Sequence, residues 1–294
     1  MTPLEQALLS LDGLSVGDAL GAAYGEGDTL PAMALKIAKR ELLPGQWRWT
    51  DDTHMAMSIV EILAEFGEID AHALAERFAE RFIDDPYRGY AGGARRLLTM
   101  IANGYDWQEL APQLFEGGSY GNGGAMRAAP IGGYFAGEPS RGAQEAKQSA
   151  IVTHAHPEGQ AGAIGVAVAA AIAAGDDTPQ GNDFLAAVAE YMPDSEVKDG
   201  IQAAMQIGAE DFEEAVKRLG TGWQVSAQDT VPFCLWCAAH HLDSYEDALW
   251  KTVAAAGDRD TTCAIVGGIV ALSTGEVPKE WLRRREGLPA DFAP

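Results

Sequence analysis

Apolar residues in this chain recur at spacings of three and four nearly everywhere, and nowhere is there a sustained period-2 alternation rich in Val, Ile and Thr. That period places apolar side chains on one helix face and argues against half-buried strands, so the sequence predicts an all-α fold. In 71–82, for example, Leu74, Ala75, Phe78 and Phe82 share a face, and Asp70 stands where a cap is needed. Thr2-Pro3 supplies a cap followed by proline at the first position of a helix that runs toward Ala19 and Leu20. Further helices are predicted at 55–66, 91–102, 125–134, 159–174, 184–191, 197–207, 214–219, 231–240, 245–255 and 261–272. Their separators carry Gly, Pro, Asp and Asn, as in 175–183, and read as turns. With no low-complexity block, repeat or composition break, 1–294 reads as one helical domain, and 281–294 as a terminal cover or partly mobile tail.

Composition narrows the function. Apolar residues at 47% and charged residues at 22% suit an ordinary packed core rather than a disordered or fibrous chain. The 43 acidic against 21 basic residues give a net charge of −22, which repels a phosphate backbone, so nucleic-acid binding is not expected. Such a surface favours solubility and suits basic protein targets. Met1-Thr2-Pro3-Leu4-Glu5 lacks the basic and apolar regions of a secretory signal. The longest uncharged apolar run, 161–175, is shorter than the ~20 residues of a membrane span. A cytoplasmic protein without a membrane partner is the expectation, with the Ala- and Gly-rich run as a tightly packed buried helix. Cys234, Cys237 and Cys263 are too few for a disulfide scaffold; Cys234 and Cys237 have the spacing of a redox or zinc half-site, but nothing completes one, and packing is expected.

Four segments carry possible chemistry. Thr50-Asp51-Asp52-Thr53 precedes an apolar helix and offers hard oxygen ligands for Mg²⁺ or Mn²⁺, although alone it is an ordinary helix cap. Asp258-Arg259-Asp260-Thr261 repeats that chemistry near the other end of the chain; in an extended turn Asp258 and Asp260 would face one side, with Thr261 opening the helix. Oxygen ligands from both segments could hold two cations in one site. The glycine-rich run from Gly117 to Arg127 lets main-chain N–H groups approach a ligand, and it matches neither the Rossmann nor the Walker pattern. His154 and His156, at the start of the Ala-rich helix, offer metal ligation or contact with a pyrophosphate or ribose.

Taken in order, Gly17-Asp18-Ala19-Leu20-Gly21, Trp49-Thr50-Asp51-Asp52-Thr53, Ser119 to Arg127, Thr153-His154 and Gly257 to Thr261 resemble the ADP-ribosylglycohydrolase family, which includes dinitrogenase-reductase-activating glycohydrolases. The blocks span almost the whole chain. The resemblance implies a compact orthogonal helical bundle with a binuclear Mg²⁺ or Mn²⁺ cleft. It implies metal ligation by Thr50, Asp51, Asp52, Asp258, Asp260 and Thr261, with Asp52 and Asp260 central to catalysis. By the same resemblance Ser119, Tyr120, Gly121, Asn122, Gly123, Gly124 and Met126 cradle ADP-ribose, His154 contacts it, and Asp18 belongs to the substrate site, supporting it from its helix. Many relatives carry a glutamate seven residues after the aspartate matching Asp18; here that position is Gly25, and Glu26, one place later, is the candidate catalytic acid, base or gate. An Asp-Ile-Gly type run of arginine-directed relatives is replaced by Tyr87-Arg88-Gly89-Tyr90. The implied activity is metal-dependent hydrolysis of the glycosidic bond between ADP-ribose and a protein side chain or small molecule. The alternatives are an inactive ADP-ribose-binding protein of the same fold, or a hydrolase of another nucleoside or phosphoribosyl conjugate.

Overall fold

The computed structural model describes residues 1–25, 30–290, 292 and 294, and the described chain is helical throughout, with only isolated bridges at Trp47–Arg285 and Gly121–Ser226 in place of strands. In order the helices are α1 (Pro3–Gly25), α2 (Leu30–Ala38), α3 (Asp51–Phe66), α4 (Ala71–Asp84), α5 (Gly92–Ala102), α6 (Trp107–Leu110), α7 (Ala129–Tyr134) and α8 (Pro139–Ile151). There follow α9 (Pro157–Ala173), α10 (Gly181–Glu190), α11 (Glu196–Ala204), α12 (Phe212–Leu219), α13 (Val231–Ala239), α14 (Tyr245–Ala254), α15 (Arg259–Thr274) and α16 (Lys279–Arg284). Among the described residues no helix is long and apolar enough to cross a membrane.

The central contact is between the first long helix and the last. A Cβ added at Gly13, Gly17 or Gly21 of α1 would sit 2.3, 2.1 or 2.2 Å from the carbonyl oxygen of Gly267, Cys263 or Arg259 of α15. The numbering rises on one helix as it falls on the other, in steps of four, so the two run antiparallel along a shared i, i+4 ridge with backbone against backbone. Glycine is required on that ridge because any side chain would push the helices apart. The result sets Asp18 of α1 near Asp260 at the start of α15.

The Ala- and Gly-rich segment is the buried α9, as its composition implies, with Pro157 at its first position and His156 as its cap. It meets α7 through Gly132, where a Cβ would lie 2.1 Å from Ala167 O. The three cysteines are buried and unpaired in α13 and α15, and burial pushes the Cys237 thiol up to about 12, a packing role rather than a redox one. The terminal segment is a cover: Trp281 of α16 is buried edge-on against Trp47, Tyr245 and Trp250, and Trp47 exchanges main-chain hydrogen bonds with Arg284 and Glu286.

Several boundaries differ from the sequence expectation. α3 begins at Asp51 and α15 at Arg259, each earlier than its apolar stripe, whereas α7 begins only at Ala129. The helices α2, α6, α8 and α16 were not foreseen.

Candidate active site

The early start of α3 follows from its cap. Thr50 is extended (φ −115°) and its hydroxyl oxygen accepts from Asp52 N at 3.5 Å, placing Asp51 and Asp52 in the first turn, where carboxylates favour the positive end of the helix dipole. Asp18 holds this helix start to α1. Its carboxylate accepts from Thr50 N, Thr50 Oγ1, Thr53 N and Thr53 Oγ1 at 2.9, 2.8, 3.1 and 2.5 Å. Asp18 is fully buried and is not among the residues lining the cleft described next; it braces the helix start that carries Asp51 and Asp52.

At the other end of the sequence Asp258 caps α15 and Asp260 lies in its first turn. They are therefore joined by a helical turn, not the extended one expected, and their carboxyls still meet closely enough to hydrogen-bond. Asp258 Oδ2 also accepts from Asn122 Nδ2 at 2.8 Å, which ties the glycine-rich loop to α15. Asp51, Asp52, Asp258, Asp260 and Thr261 line one end of a cleft of about 700 Å³. Thr50 is not among the lining residues and is bonded to Asp18 and Asp52 at 2.8 and 3.1 Å.

The other wall is the loop from Ser119 to Asn122, with Gly123 and Met126. The residues after it form a short 3-10 turn, Asn122–Gly124, rather than the long helix expected to follow. The segment between α12 and α13 clamps this loop: Asn122 N donates to Val225 O, Ala227 N donates to Tyr120 O, and Asn122 Nδ2 lies 3.1 Å from Thr230 Oγ1. Gly124 lies one layer back, against His154 and Gly159. His154 lines the cleft, whereas His156 is spent as the α9 cap, its Nδ1 accepting from Glu158 N at 3.1 Å. Of the two histidines, only His154 reaches the site. Glu26 lies outside the described residues.

The electrostatics of the acidic end follow from burial without neutralisation. Burial first, then the Asp18 and Asp260 charges, pushes Asp51 up to about 8. Burial, and next the same two neighbours, holds Asp52 well above the carboxylate range. Burial, opposed by the Thr53 hydroxyl, brings Asp18 to about 7. Burial and the hydrogen bond with Asp260 bring Asp258 to about 7. Among the described residues no Lys or Arg pairs with any of these carboxylates, and Asp52 Oδ1 is buried without a hydrogen-bond partner.

Sequence reasoning missed the layer beneath this site. Tyr90 OH lies 2.9 Å from Nδ1 of His54 on α3, and Arg88 stacks 3.5 Å over Trp49 while gripping Glu286 at 2.7 Å, tying the segment after α16 to the segment before Thr50. Burial first, then the Arg81 and Arg88 charges, brings His54 down to about 3. The unfolded chain therefore takes up this proton first as pH falls through 6.5, so the contribution of neutral His54 is complete above pH 6.5 and is lost between 6.5 and about 3. Between pH 7 and 5 that loss is about 2 kcal/mol. Thermal unfolding at the two pH values is expected to show a correspondingly smaller acid loss in His54→Gln, since the carboxylates contribute equally to both proteins. An unchanged loss would contradict a buried neutral His54.

Comparison with known proteins agrees with this architecture. The family model described as ADP-ribosylglycohydrolase matches residues 1–292. A protein of Archaeoglobus fulgidus is 31% identical, the match covering 94% of this chain and 89% of that protein. ADP-ribosylhydrolase ARH3 of Homo sapiens is 30% identical over 94% of this chain and 88% of its own. ADP-ribosyl-[dinitrogen reductase] glycohydrolase of Rhodospirillum rubrum is 26% identical over 95% and 90%. A solved structure titled ADP-ribosylglycohydrolase-related protein complex superimposes with a TM-score of 0.68 at 23% identity, covering 97% of this chain and 93% of that one, and so shares the fold. The chain belongs to the ADP-ribosylglycohydrolase family and is an ADP-ribosylglycohydrolase-like hydrolase.

Proposed function

We propose that the chain hydrolyses the glycosidic bond between ADP-ribose and a protein side chain or small molecule, with two divalent cations, Mg²⁺ or Mn²⁺, held at the acidic end of the cleft. The observation that carries this reading is a set of four cleft-lining aspartates, Asp51, Asp52, Asp258 and Asp260, with no cationic side chain among the described residues paired to them. Their side chains are not drawn together as a ready-made metal group among the described residues. The donor set nevertheless fits a hard cation: carboxylates with the hydroxyls of Thr50 and Thr261, no thiolate or imidazole in competition, and one buried carboxylate oxygen, Asp52 Oδ1, left without a partner.

Thr50, Asp51, Asp52, Asp258, Asp260 and Thr261 are the residues that would hold the cations. When bound, the cations supply Lewis-acid charge and lower the pKa of a water. The rest falls to the chain itself. The Ser119–Asn122 loop lines the cleft where a diphosphate is to be accepted by a protein of charge −22, and Asn122 links that loop to Asp258 so that the two ends of the substrate are registered against each other. Carboxylates left partly free stabilise positive charge developing on the ribose.

A panel of ADP-ribosyl conjugates with arginine, serine, nucleobase and ester leaving groups tests the reading. ADP-ribose release from at least one is expected, abolished by a strong chelator, restored by Mn²⁺ or Mg²⁺, and reduced at least about 100-fold in Asp260→Asn. Binding of ADP-ribose without release from any conjugate would assign a binding protein instead, and release indifferent to chelation would remove the cations from the proposal.

A further inference from the structure

Arg127 is fully buried beneath the cleft, has no carboxylate partner among the described residues, and stacks over Phe78 at 4.5 Å. Its Nη2 donates to Ser149 O at 3.0 Å and to Thr153 Oγ1 at 2.9 Å. Thr153 Oγ1 in turn lies 2.7 Å from His154 Nδ1. A guanidinium only donates, so it occupies an acceptor position on the threonine hydroxyl. Among the described residues the hydroxyl hydrogen then has one acceptor in reach, His154 Nδ1. An imidazole that accepts at Nδ1 while neutral carries its hydrogen on Nε2.

Nε2 faces the glycine-rich loop. A Cβ added at Gly121 or Gly123 would lie 3.3 or 3.2 Å from it, so the absence of side chains at both positions leaves space in front of this atom. We infer that the Arg127–Thr153 pair locks His154 as an Nε2–H hydrogen-bond donor aimed at an oxygen of the ligand in the cleft, a phosphate or ribose oxygen under the function proposed above. Arg127 and Thr153 are positioning residues for it. Protonation would turn Nδ1 into a second donor facing the threonine hydroxyl, and would set a second cation beside Arg127. Burial, and next the Arg127 charge, hold His154 down at about 3, in agreement with a fixed neutral donor rather than a proton shuttle.

A long-range ¹H–¹⁵N spectrum of the full-length protein labelled at histidine, with His154→Gln to assign the signal, reads the tautomer directly. The wild-type ring is expected to carry its hydrogen on Nε2 at neutral pH, and a hydrogen on Nδ1, or on both nitrogens, overturns the inference without recourse to any variant. Thr153→Val is expected to release the lock, giving mixed tautomers, and Thr153→Ser to restore it; a merely structural threonine would leave the ring signal unchanged in both, and that too overturns it. ADP-ribose is expected to bind about 10-fold more weakly to Thr153→Val with Mn²⁺ affinity unaltered, and to Thr153→Ser as to wild type. If the tautomer behaves as stated and ADP-ribose binds none of the proteins, the lock stands and the functional reading falls.

Discussion

Replacing Asp52 by asparagine is expected to lower turnover in the presence of Mn²⁺ or Mg²⁺ by at least about 100-fold while raising the melting temperature of the metal-free protein. The two effects have one cause. Asp52 is 1% exposed, its Oδ1 has no partner, and Asp18, Asp51, Asp258 and Asp260 all oppose its ionisation, so its charge is destabilising until a cation neutralises it. Asparagine keeps the shape, and its NH₂ group can donate to the Thr50 hydroxyl oxygen that now lies 3.1 Å from Oδ2, leaving the hydroxyl hydrogen to Asp18. Removing the charge should stabilise the metal-free fold by about 1–2 kcal/mol, which for a chain of this length is roughly 2–4 °C.

Asp18→Asn gives the opposite sign although Asp18 is equally buried. Its two oxygens accept four donors from Thr50 and Thr53, and an amide would turn an NH₂ group toward some of them, at a cost of about 2–3 kcal/mol. Calorimetry of both variants without metal, followed by titration with Mn²⁺, decides the matter. A melting temperature that falls equally in both would mean that Asp52 is a structural carboxylate like Asp18, and the cations would lose their central ligand.

How much of this was legible in the sequence depends on which signal each feature leaves. Long helices with bulky apolar stripes, such as α4 with Leu74, Phe78 and Phe82, are visible as periodicity, which is why the all-helical class follows from the chain alone. α8 leaves little such trace, because its buried face is Gly142, Glu145, Ala146, Ser149 and Ala150, residues that a hydropathy reading passes over. The helix starts at Asp51 and Arg259 were placed late for a related reason: acidic and hydroxyl residues read as cap and turn, whereas here Asp51, Asp52 and Asp260 occupy the first turn itself.

The acidic pair of segments is legible as chemistry, and the repeated Asp and Thr pattern suggests one shared site, but nothing local links Asp52 to Asp258 across some two hundred residues, and it is the family resemblance that makes their union specific. The supporting layer left no signal of that kind. Arg127 is a lone charge in the run Gly-Gly-Ala-Met-Arg-Ala-Ala-Pro-Ile, a hint that it is buried, but its role depends on Thr153 and His154 arriving from the end of α8. The clamp on the glycine loop is equally hidden: Gly220 and Gly222 adopt positive φ, and what they allow is a main-chain contact between Thr221 O and Asp258 N.

Gly17→Ala is expected to be among the most damaging single-methyl changes outside the acidic cluster. A Cβ there would lie 2.1 Å from Cys263 O and 2.6 Å from Cys263 C, both main-chain atoms, so no rotamer change relieves it and α1 and α15 must separate. Overpacking of that kind costs at least about 3 kcal/mol, or roughly 6 °C or more in this chain. The damage should also reach the site, because the next residue, Asp18, braces α3, while α15 opposite carries Asp258 and Asp260; Mn²⁺ affinity is expected to fall along with stability. Gly25→Ala, at the far end of the same helix with no described residue within 4 Å, serves as the control and should be neutral or slightly stabilising, by up to about 1 kcal/mol. Because the obstacle is a carbonyl and not a thiol, adding Cys263→Ala to Gly17→Ala should restore neither stability nor metal binding. Rescue by that second change would show that side chains, rather than the two backbones, set the distance at which the halves of the acidic site are held.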